Sequence, residues 1–588
     1  MENSILTPNA LRVLEARYLR KTDTGQSTET PHELFSRVAA AIAQAETAFG
    51  NHASEAHWQE TFYATLSCLD FLPNSPTLMN AGMHHGQLSA CFVIPVPDSM
   101  DGIFEALKQA ALVQQTGGGT GFSFSNLRPK GDPVKSTGGQ ASGPVSFMKI
   151  FDSATEHIKQ GGKRRGANMG VLRVDHPDIL EFVTAKSHAD ALQNFNISVG
   201  VTDAFMEAIR KGTSFELIHP RTQKAVERIS AQSVFDAITE SAWNTGDPGL
   251  IFLDALNRAN PTPGLGPFES TNPCGEVPLL SNEACNLGSI NLAHHMCEHS
   301  GVPDIDWEKL QSTVHTAIRF LDNLIEVNSY PTPSIERMSR GNRKIGLGVM
   351  GFAELLIRLG IPYNSERAVQ IGETLMQMIN KEARSASMNL AKERGPFPHW
   401  AQSVFKAQNL PIRNATCTAI APTGTISMIA GTTAGIEPLF ALVTKRSHTL
   451  GGGPLYETAP LLDRYWPKTS FPLSKSLLEK EAQESSIVPE VLPEEVKRLY
   501  VTALEIPPEG HLAMQAAFQR HVDNSVSKTI NLPNEAKPEA VGQAYQRAWE
   551  LDLKGVTVFR YGSKGKNVLE VETQNLAPCH SGLPCLPC

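Results

Sequence analysis

No stretch of this 588-residue chain holds eighteen uncharged apolar residues in a row. The nearest approach, residues 345–361, is broken by Glu354 and Arg358, so no membrane-spanning helix is expected. The opening run MENSILTPNALRVLEARYLRK lacks the apolar core and small-residue cleavage site of a secretory signal. Cysteine is sparse, at nine residues, and without a secretory signal these thiols are expected in the reducing cytoplasm. There they serve catalysis or metal binding more readily than a disulfide framework. Positive charge is not in excess: the formal net charge is -8, which gives no electrostatic reason to expect a nucleic-acid partner. No internal repeat is visible.

What is present centres on residues 270–292, STNPCGEVPLLSNEACNLGSINL. Asn272, Cys274 and Glu276 occupy alternate positions around a Pro and a Gly, so an extended segment would point an amide, a thiol and a carboxylate the same way. Packing thiols are the bland alternative, but Cys285 follows in a segment rich in Asn, Ser and Gly with few apolar neighbours. Cys91 lies on a buried strand expected over residues 88–96. As thiols, Cys91 and Cys285 could deliver two electrons and finish as a disulfide, which Cys585 and Cys588 in the tail could reduce by exchange. The competing reading of that tail is half a zinc site, since C-x2-C is also a ligand spacing, with Cys579 and His580 nearby. The set around Cys274 suits a one-electron step on a polyhydroxylated substrate, Glu276 taking a hydroxyl proton while Asn272 orients the same molecule.

The rest of the chain reads as a scaffold. Residues up to about 69 are mainly helical, with a helix over 31–49, and are expected to pack against the body rather than act chemically. A helix over 102–115 runs into TGGGTGF at 116–122, where Gly117, Gly118, Gly119 and Gly121 would let backbone N–H groups approach an anion, although the run matches neither common phosphate fingerprint. After a flexible stretch at 128–143, a helix over 145–160 is expected to end at Gly161-Gly162. KRRGANMG at 163–170 is either a solvated turn or a loop meeting phosphate or a nucleotide base. Residues 171–260 alternate strands with helices, such as 196–201 before 203–211, as an α/β body does. Further on come a helix over 307–328, a strand over 343–351 turning into a helix over 352–359, and a strand over 415–425. That last strand would deliver Pro422-Thr423-Gly424-Thr425 to a helix start, as a diphosphate seat or a plain N-cap. Residues 474–503 read as a charged surface hairpin of helices, 511–533 as a helix passing into a strand, and 554–561 as a strand.

Five runs carry a resemblance: NSPTLMNAG at 74–82, LSACFV at 88–93, NPCGE at 272–276, ACNLGSINL at 284–292 and APTGTIS at 421–427. Together, in order between about residues 10 and 565, they resemble the large catalytic chain of ribonucleotide reductases. HLAMQAAFQRHVDNSVSKTINLP and KGVTVFRYGS are similar to the adenosylcobalamin-dependent class II enzymes of the dimeric type. The chain has no consecutive tyrosine pair near its C-terminus, as the class with a separate radical-bearing subunit needs, and no glycyl-radical motif.

The resemblance implies a ten-stranded α/β barrel of two five-stranded parallel halves with a finger loop inside, spanning residues 71–562. A helical segment at 1–70 precedes it and a cysteine-bearing tail at 563–588 follows. It implies reduction of ribonucleoside diphosphates to 2′-deoxyribonucleotides, with Cys274 as the thiyl radical, Glu276 as the base, Asn272 as the orienting amide, Cys91 and Cys285 as the reducing pair, and Cys585 and Cys588 as its reductants. Substrate would touch Ser75, Ala90, Cys91, Gly119, Asn272, Pro273, Cys274, Gly275, Glu276, Pro422, Thr423, Gly424, Thr425 and Ile426. Deoxynucleotide or ATP effectors would meet Asp98, Ser99, Arg128, Lys163 and Arg165 at the contact of a homodimer. The cofactor would be adenosylcobalamin and the external reductant a thioredoxin- or glutaredoxin-type protein; no metal ligands are assigned, and no ATP-cone module, hence no on/off activity site, is expected. Two rivals stand beside this reading: a large chain that borrows its radical from a partner subunit, and a catalytically silent nucleotide-binding regulator on the same fold.

Overall fold

A computed structural model describes residues 6–50, 54–83, 86–134, 138–160, 164–188, 190–446, 455–462 and 494–563. The chain begins with helices α1 (Pro8–Arg17), α2 (Pro31–Ala43) and α3 (Glu55–Ser67). The start of α2 is fixed by a capping box. The Thr30 hydroxyl accepts from the Glu33 amide at 3.2 Å, while the Glu33 carboxylate accepts from the Thr30 amide at 2.7 Å. The helix expected over 31–49 is broken at Gln44, after which a four-residue turn, Ala45–Ala48, carries Glu46 inward.

A ten-stranded sheet forms the body. Its strands are β1 (Phe71–Pro73), β2 (Cys91–Val93), β3 (Gly119–Ser123), β4 (Asn168–Arg173), β5 (Phe195–Val201), β6 (Gly249–Phe252), β7 (Glu283–Asn291), β8 (Ile345–Met350), β9 (Thr529–Leu532) and β10 (Gly555–Arg560). Strands β2 to β6 pair in order, all parallel, and make the first half. In the second half β7 runs parallel to β8 and β9 parallel to β10. The halves meet antiparallel, β7 on β2 and β6 on β10. Between β8 and β9 the isolated parallel bridges Leu347↔Thr418 and Ile420↔Val526 span the gap. The regular strand expected over 415–425 is therefore a bridged, irregular segment, and the strand expected over 88–96 is confined to Cys91–Val93. Most residues of these strands are buried on both faces, so little polar/apolar alternation is left to read; all nine residues of β7 are buried although it carries Glu283, Asn286, Ser289 and Asn291.

Helices α4 (Met100–Gln115), α5 (Pro144–His157), α6 (Trp307–Val327) and α7 (Glu366–Arg394) pack outside the sheet. The helix expected over 145–160 stops at His157, where Lys159–Gln160 turns back to pair with Arg164–Arg165; Gly161 and Gly162 lie outside the described residues. Of the hairpin expected over 474–503, residues 474–493 likewise lie outside them, and Glu494–Leu499 is helical. Phe320 on α6 meets Phe62 of α3 and Phe71 of β1 edge-on, with centroids 5.1 and 5.4 Å apart, which ties the N-terminal helices to the sheet.

Charge makes a second tie. Glu46, fully buried, is paired with Arg319 of α6 at 2.8 Å and Arg394 of α7 at 2.7 Å. Arg394 also reaches Asp322 at 2.9 Å, and Arg343 reaches the same carboxylate at 2.8 Å. Among the described residues no helix is long and apolar enough to cross a membrane.

Candidate active site

A hairpin, Ser270–Thr271 paired with Pro278–Leu279, enters the interior of the sheet. Two glycines of the TGGGTGF run make room for it. A Cβ on Gly121 would lie 1.8 Å from the Thr271 carbonyl oxygen, and one on Gly119 would lie 2.9 Å from Pro273. Beside the anion approach or tight turn that the glycine cluster suggested, the structure gives Gly119 and Gly121 another use: they leave room on β3 for the finger hairpin, Gly121 for its backbone and Gly119 for Pro273.

The tip of the hairpin is a tight turn, not the extended segment that alternation implied. The Gly275 amide donates to the Asn272 carbonyl at 3.0 Å, the Val277 amide donates to the Asn272 side-chain oxygen at 3.0 Å, and Gly275 has φ +81°. The turn still gathers the three groups. Asn272 and Glu276 are buried at its base, Cys274 stands exposed at its tip, and the Ser525 amide steadies the turn by donating to the Glu276 carbonyl at 2.8 Å.

Cys274 lines two cavities. The smaller, about 280 Å³, takes its walls from Ser75, Ala90, Cys91, Gly119, Asn272, Pro273, Glu276 and all of Pro422, Thr423, Gly424, Thr425 and Ile426. Gly275, expected with them, faces the larger cavity instead, because the turn rotates it to the other side. That larger cavity, about 900 Å³, is walled by small residues such as Ser198, Gly249, Ala434 and Ser527 and by larger apolar ones such as Met169, Ile251, Leu439 and Phe559. Its size is at the upper end of the range for ligand pockets, roughly 300–1,000 Å³.

Cys91 and Cys285 are directly opposite each other across the antiparallel pairing of β2 and β7. Facing residues in such a pair have Cα atoms about 4.5–5.5 Å apart, inside the span a disulfide bridges. The Asn272 amide donates to Cys91 Sγ at 3.2 Å, which links the finger turn to the outer thiol. Cys91 borders the smaller cavity, whereas Cys285 sits behind it; burial pushes the Cys285 thiol up, and the Lys344 ammonium only partly offsets this.

The Pro422–Ile426 loop is shaped by Thr423, which holds φ +52° and whose hydroxyl accepts from the Gly435 amide at 2.7 Å. Thr425 precedes the short helix Ile426–Ala430 without capping it, so the plain N-cap reading fails for its hydroxyl.

On the outer face, Asp98 holds Arg128 through both carboxylate oxygens at 3.0 Å, and Ser99 caps α4 by accepting from the Gly102 amide at 3.1 Å. Lys163, Cys585 and Cys588, with Cys579 and His580, lie outside the described residues; Arg165 is described only as backbone, in the Arg164–Arg165 strand. Among the described residues no cluster of side chains could hold a metal ion.

The N-terminal helices do more than pack. Arg17 and Tyr18 from the end of α1 border the smaller cavity, with the Tyr18 hydroxyl 2.8 Å from that of Ser75, and Thr7 and Asn9 border the larger one. Nothing in the local sequence marks these residues, because α1 reads as an ordinary half-buried helix.

The family model described as "Ribonucleotide reductase, barrel domain" matches residues 89–412 and 400–559, and "Ribonucleotide reductase, all-alpha domain" matches residues 5–86. The chain belongs to the ribonucleotide reductases. This reductase is 48% identical to a vitamin B12-dependent ribonucleoside-diphosphate reductase of Thermoplasma acidophilum, over 97% of this chain and 80% of the relative. It is 50% identical to the protein of that name from Mycobacterium tuberculosis H37Rv, over 95% of this chain and 78% of the relative. A vitamin B12-dependent ribonucleotide reductase of Streptomyces clavuligerus is 29% identical over 96% of the chain and 67% of its own length.

Proposed function

We propose that this reductase is a B12-dependent ribonucleoside-diphosphate reductase that works in the cytoplasm without a radical-bearing partner chain. The observation that carries the reading is the position of Cys274, on a hairpin tip that borders both a cavity with Cys91 in its wall, Cys285 lying behind it, and a larger cavity beside it. The larger cavity, about 900 Å³ and lined by apolar and polar side chains alike, has room for a bulky cofactor and reaches Cys274. Asn196, Ser198, Gly249, Ser527 and Phe559 are among the residues that would hold adenosylcobalamin there. When bound, that group supplies radical chemistry by homolysis of its cobalt–carbon bond.

The chain's own residues carry the rest. Cys274, as a thiyl radical, takes the 3′ hydrogen of the ribose and returns it at the end of the cycle. Glu276 takes the 3′ hydroxyl proton, and Asn272 orients the reacting hydroxyls. The 2′ hydroxyl leaves as water while Cys91 and Cys285 surrender two electrons and two protons and join as a disulfide. The ribose and diphosphate would lie along Ser75, Ala90, Gly119, Pro273 and the Pro422–Ile426 loop. Cys585 and Cys588, on a tail from residue 563, would reduce the disulfide and be reduced in turn by a thioredoxin- or glutaredoxin-type protein.

We read the chain as a homodimer. Met100 and Phe104 on α4 and Ile150 on α5 are apolar side chains left 59%, 47% and 40% exposed, which suits a contact between copies. Asp98, Ser99, Arg128, Lys163 and Arg165 would take a deoxynucleotide or ATP effector beside it, with 1–70 and 71–562 as the helical segment and the catalytic body.

The test is anaerobic assay of the purified chain with a ribonucleoside diphosphate, dithiothreitol and adenosylcobalamin. Deoxynucleotide should form with no second protein, and Cys274→Ser should lose all product while still binding nucleotide. Turnover that requires an added radical-bearing chain, or nucleotide binding with no turnover at all, would replace this reading with one of its two rivals.

A further inference from the structure

The thiol pair has a charged neighbour that the reduction step does not use. Lys344 precedes β8, and β8 lies parallel to β7 with Ile345 opposite Asn286. One step back along both strands places Lys344 beside Cys285, on the side away from Cys91. Glu283, two residues before Cys285 on β7, shares its face. Lys344 Nζ lies 2.7 Å from the Glu283 carboxylate, and both side chains have no exposed surface. Glu283 also accepts from the Asn342 side-chain amide at 2.6 Å and from the Leu280 amide at 2.7 Å, while the ammonium sits 4.4 Å from the Phe268 ring centre. A buried ion pair is a weak source of stability, because desolvation consumes most of the attraction and apolar residues of like volume do as well. Its location beside one sulfur of the pair therefore calls for a use.

The geometry points to Lys344 as the positioning residue that makes Cys285 the leaving sulfur when the Cys91–Cys285 disulfide is reduced. This rests on the function proposed above. In thiol–disulfide exchange a thiolate bonds to one sulfur and the other departs with the bonding electrons, faster when that departing thiolate is stabilised. Cys91 borders the cavity and Cys285 does not, so an incoming thiolate meets Cys91. The new bond joins the attacking sulfur to Cys91, the Cys91–Cys285 bond breaks, and the electron pair rests on Cys285 beside the Lys344 ammonium until a proton arrives. The second thiol of a dithiol then displaces Cys91. Over the whole exchange the dithiol loses two electrons and two protons and the cysteine pair gains both. Glu283 holds Lys344 in place and tempers its charge.

The experiment uses the full-length chain with Cys585→Ser and Cys588→Ser, oxidised with diamide and then treated with 2-mercaptoethanol, acid-quenched and mapped by mass spectrometry. The adduct should sit on Cys91 with Cys285 as the free thiol. Lys344→Met should slow the exchange about tenfold, and Glu283→Gln, which frees the ammonium from its carboxylate, should speed it by a similar factor. A purely structural ion pair would instead shift both variants the same way, since each breaks it. If Lys344→Met fails to fold, the mapping of the parent and the Glu283→Gln rate decide the matter alone. An adduct on Cys285, or a Glu283→Gln chain that reacts no faster than its parent, overturns the role given to Lys344 and leaves the proposed function standing. If oxidation joins no Cys91–Cys285 bond, both fall together.

Discussion

Gly121 is the residue on which the finger hairpin depends most directly. An alanine there would put a methyl group 1.8 Å from the Thr271 carbonyl oxygen, a position no backbone tolerates without moving. Because the neighbour is backbone rather than a flexible side chain, the hairpin must shift. Gly121→Ala should cost about 1–3 kcal/mol in a urea titration. It should lower turnover by a larger factor than stability suggests, since Cys274 rides on the displaced hairpin; unchanged turnover would remove β3 from the positioning of Cys274. The grouping of Asn272, Cys274 and Glu276 was legible in the sequence because amide, thiol and carboxylate rarely crowd one short stretch among prolines and glycines. The reason for Gly119 and Gly121 was not, since a glycine that clears another backbone and one that cradles an anion look alike until the crossing strand is known. Arg17 and Tyr18 were missed for the same cause: their cavity is built by residues from stretches scattered between residues 17 and 426.

At the level of elements, the turn at Ala45–Ala48 and helices α6 and α7 form one charged unit. Burial alone would raise Glu46, but hydrogen bonds from Arg319 and Asn323 and the charge of Arg394 outweigh it and hold its carboxyl at about 2, against an ordinary 4.5. Asp322 is likewise held at about 2, where burial is overcome by Arg343, Arg413 and Arg394. A folded value below the unfolded one means stability that is complete above the unfolded value and is lost as pH falls towards the folded one. The chain should therefore lose stability in acid, between about pH 4.5 and 2, in chemical denaturation at stepped pH. Glu46→Ala leaves Arg394 and Arg319 buried without that partner and should cost about 3–5 kcal/mol at pH 7, with a flatter acid limb. An acid limb identical to the parent's would show that Glu46 is not the group that titrates. Helices and strands with strong apolar patterns, such as α6, β8 and β10, were legible to within a few residues. This network was not, because Glu46 and Arg394 are 348 positions apart and neither looks unusual where it stands.

For the molecule as a whole, the homodimer proposed above would place its contact on the exposed apolar side chains of α4 and α5. Phe104→Asp places a charge among Met100, Phe104 and Ile150, all beyond a third exposed, so little folding stability is at stake. Sedimentation equilibrium should find the parent as a dimer and the variant as a monomer, with effector response weakened and basal turnover retained; a dimeric variant would move the contact to another face. The parallel run β2 to β6 and the parallel pairs β7–β8 and β9–β10 were expected through resemblance to a family, not through periodicity, since covered strands carry little alternation to read; β1, antiparallel to β7, was not expected. The antiparallel seam between β2 and β7 sets Cys91 against Cys285 through its register, which strand order alone does not fix. The position of Cys274 carries one more implication: a thiol that opens onto two chambers is guarded only while both are filled. With nucleotide in the smaller chamber and cobalamin in the larger, as proposed, either ligand alone would leave this sulfur open to an alkylating agent from the other side.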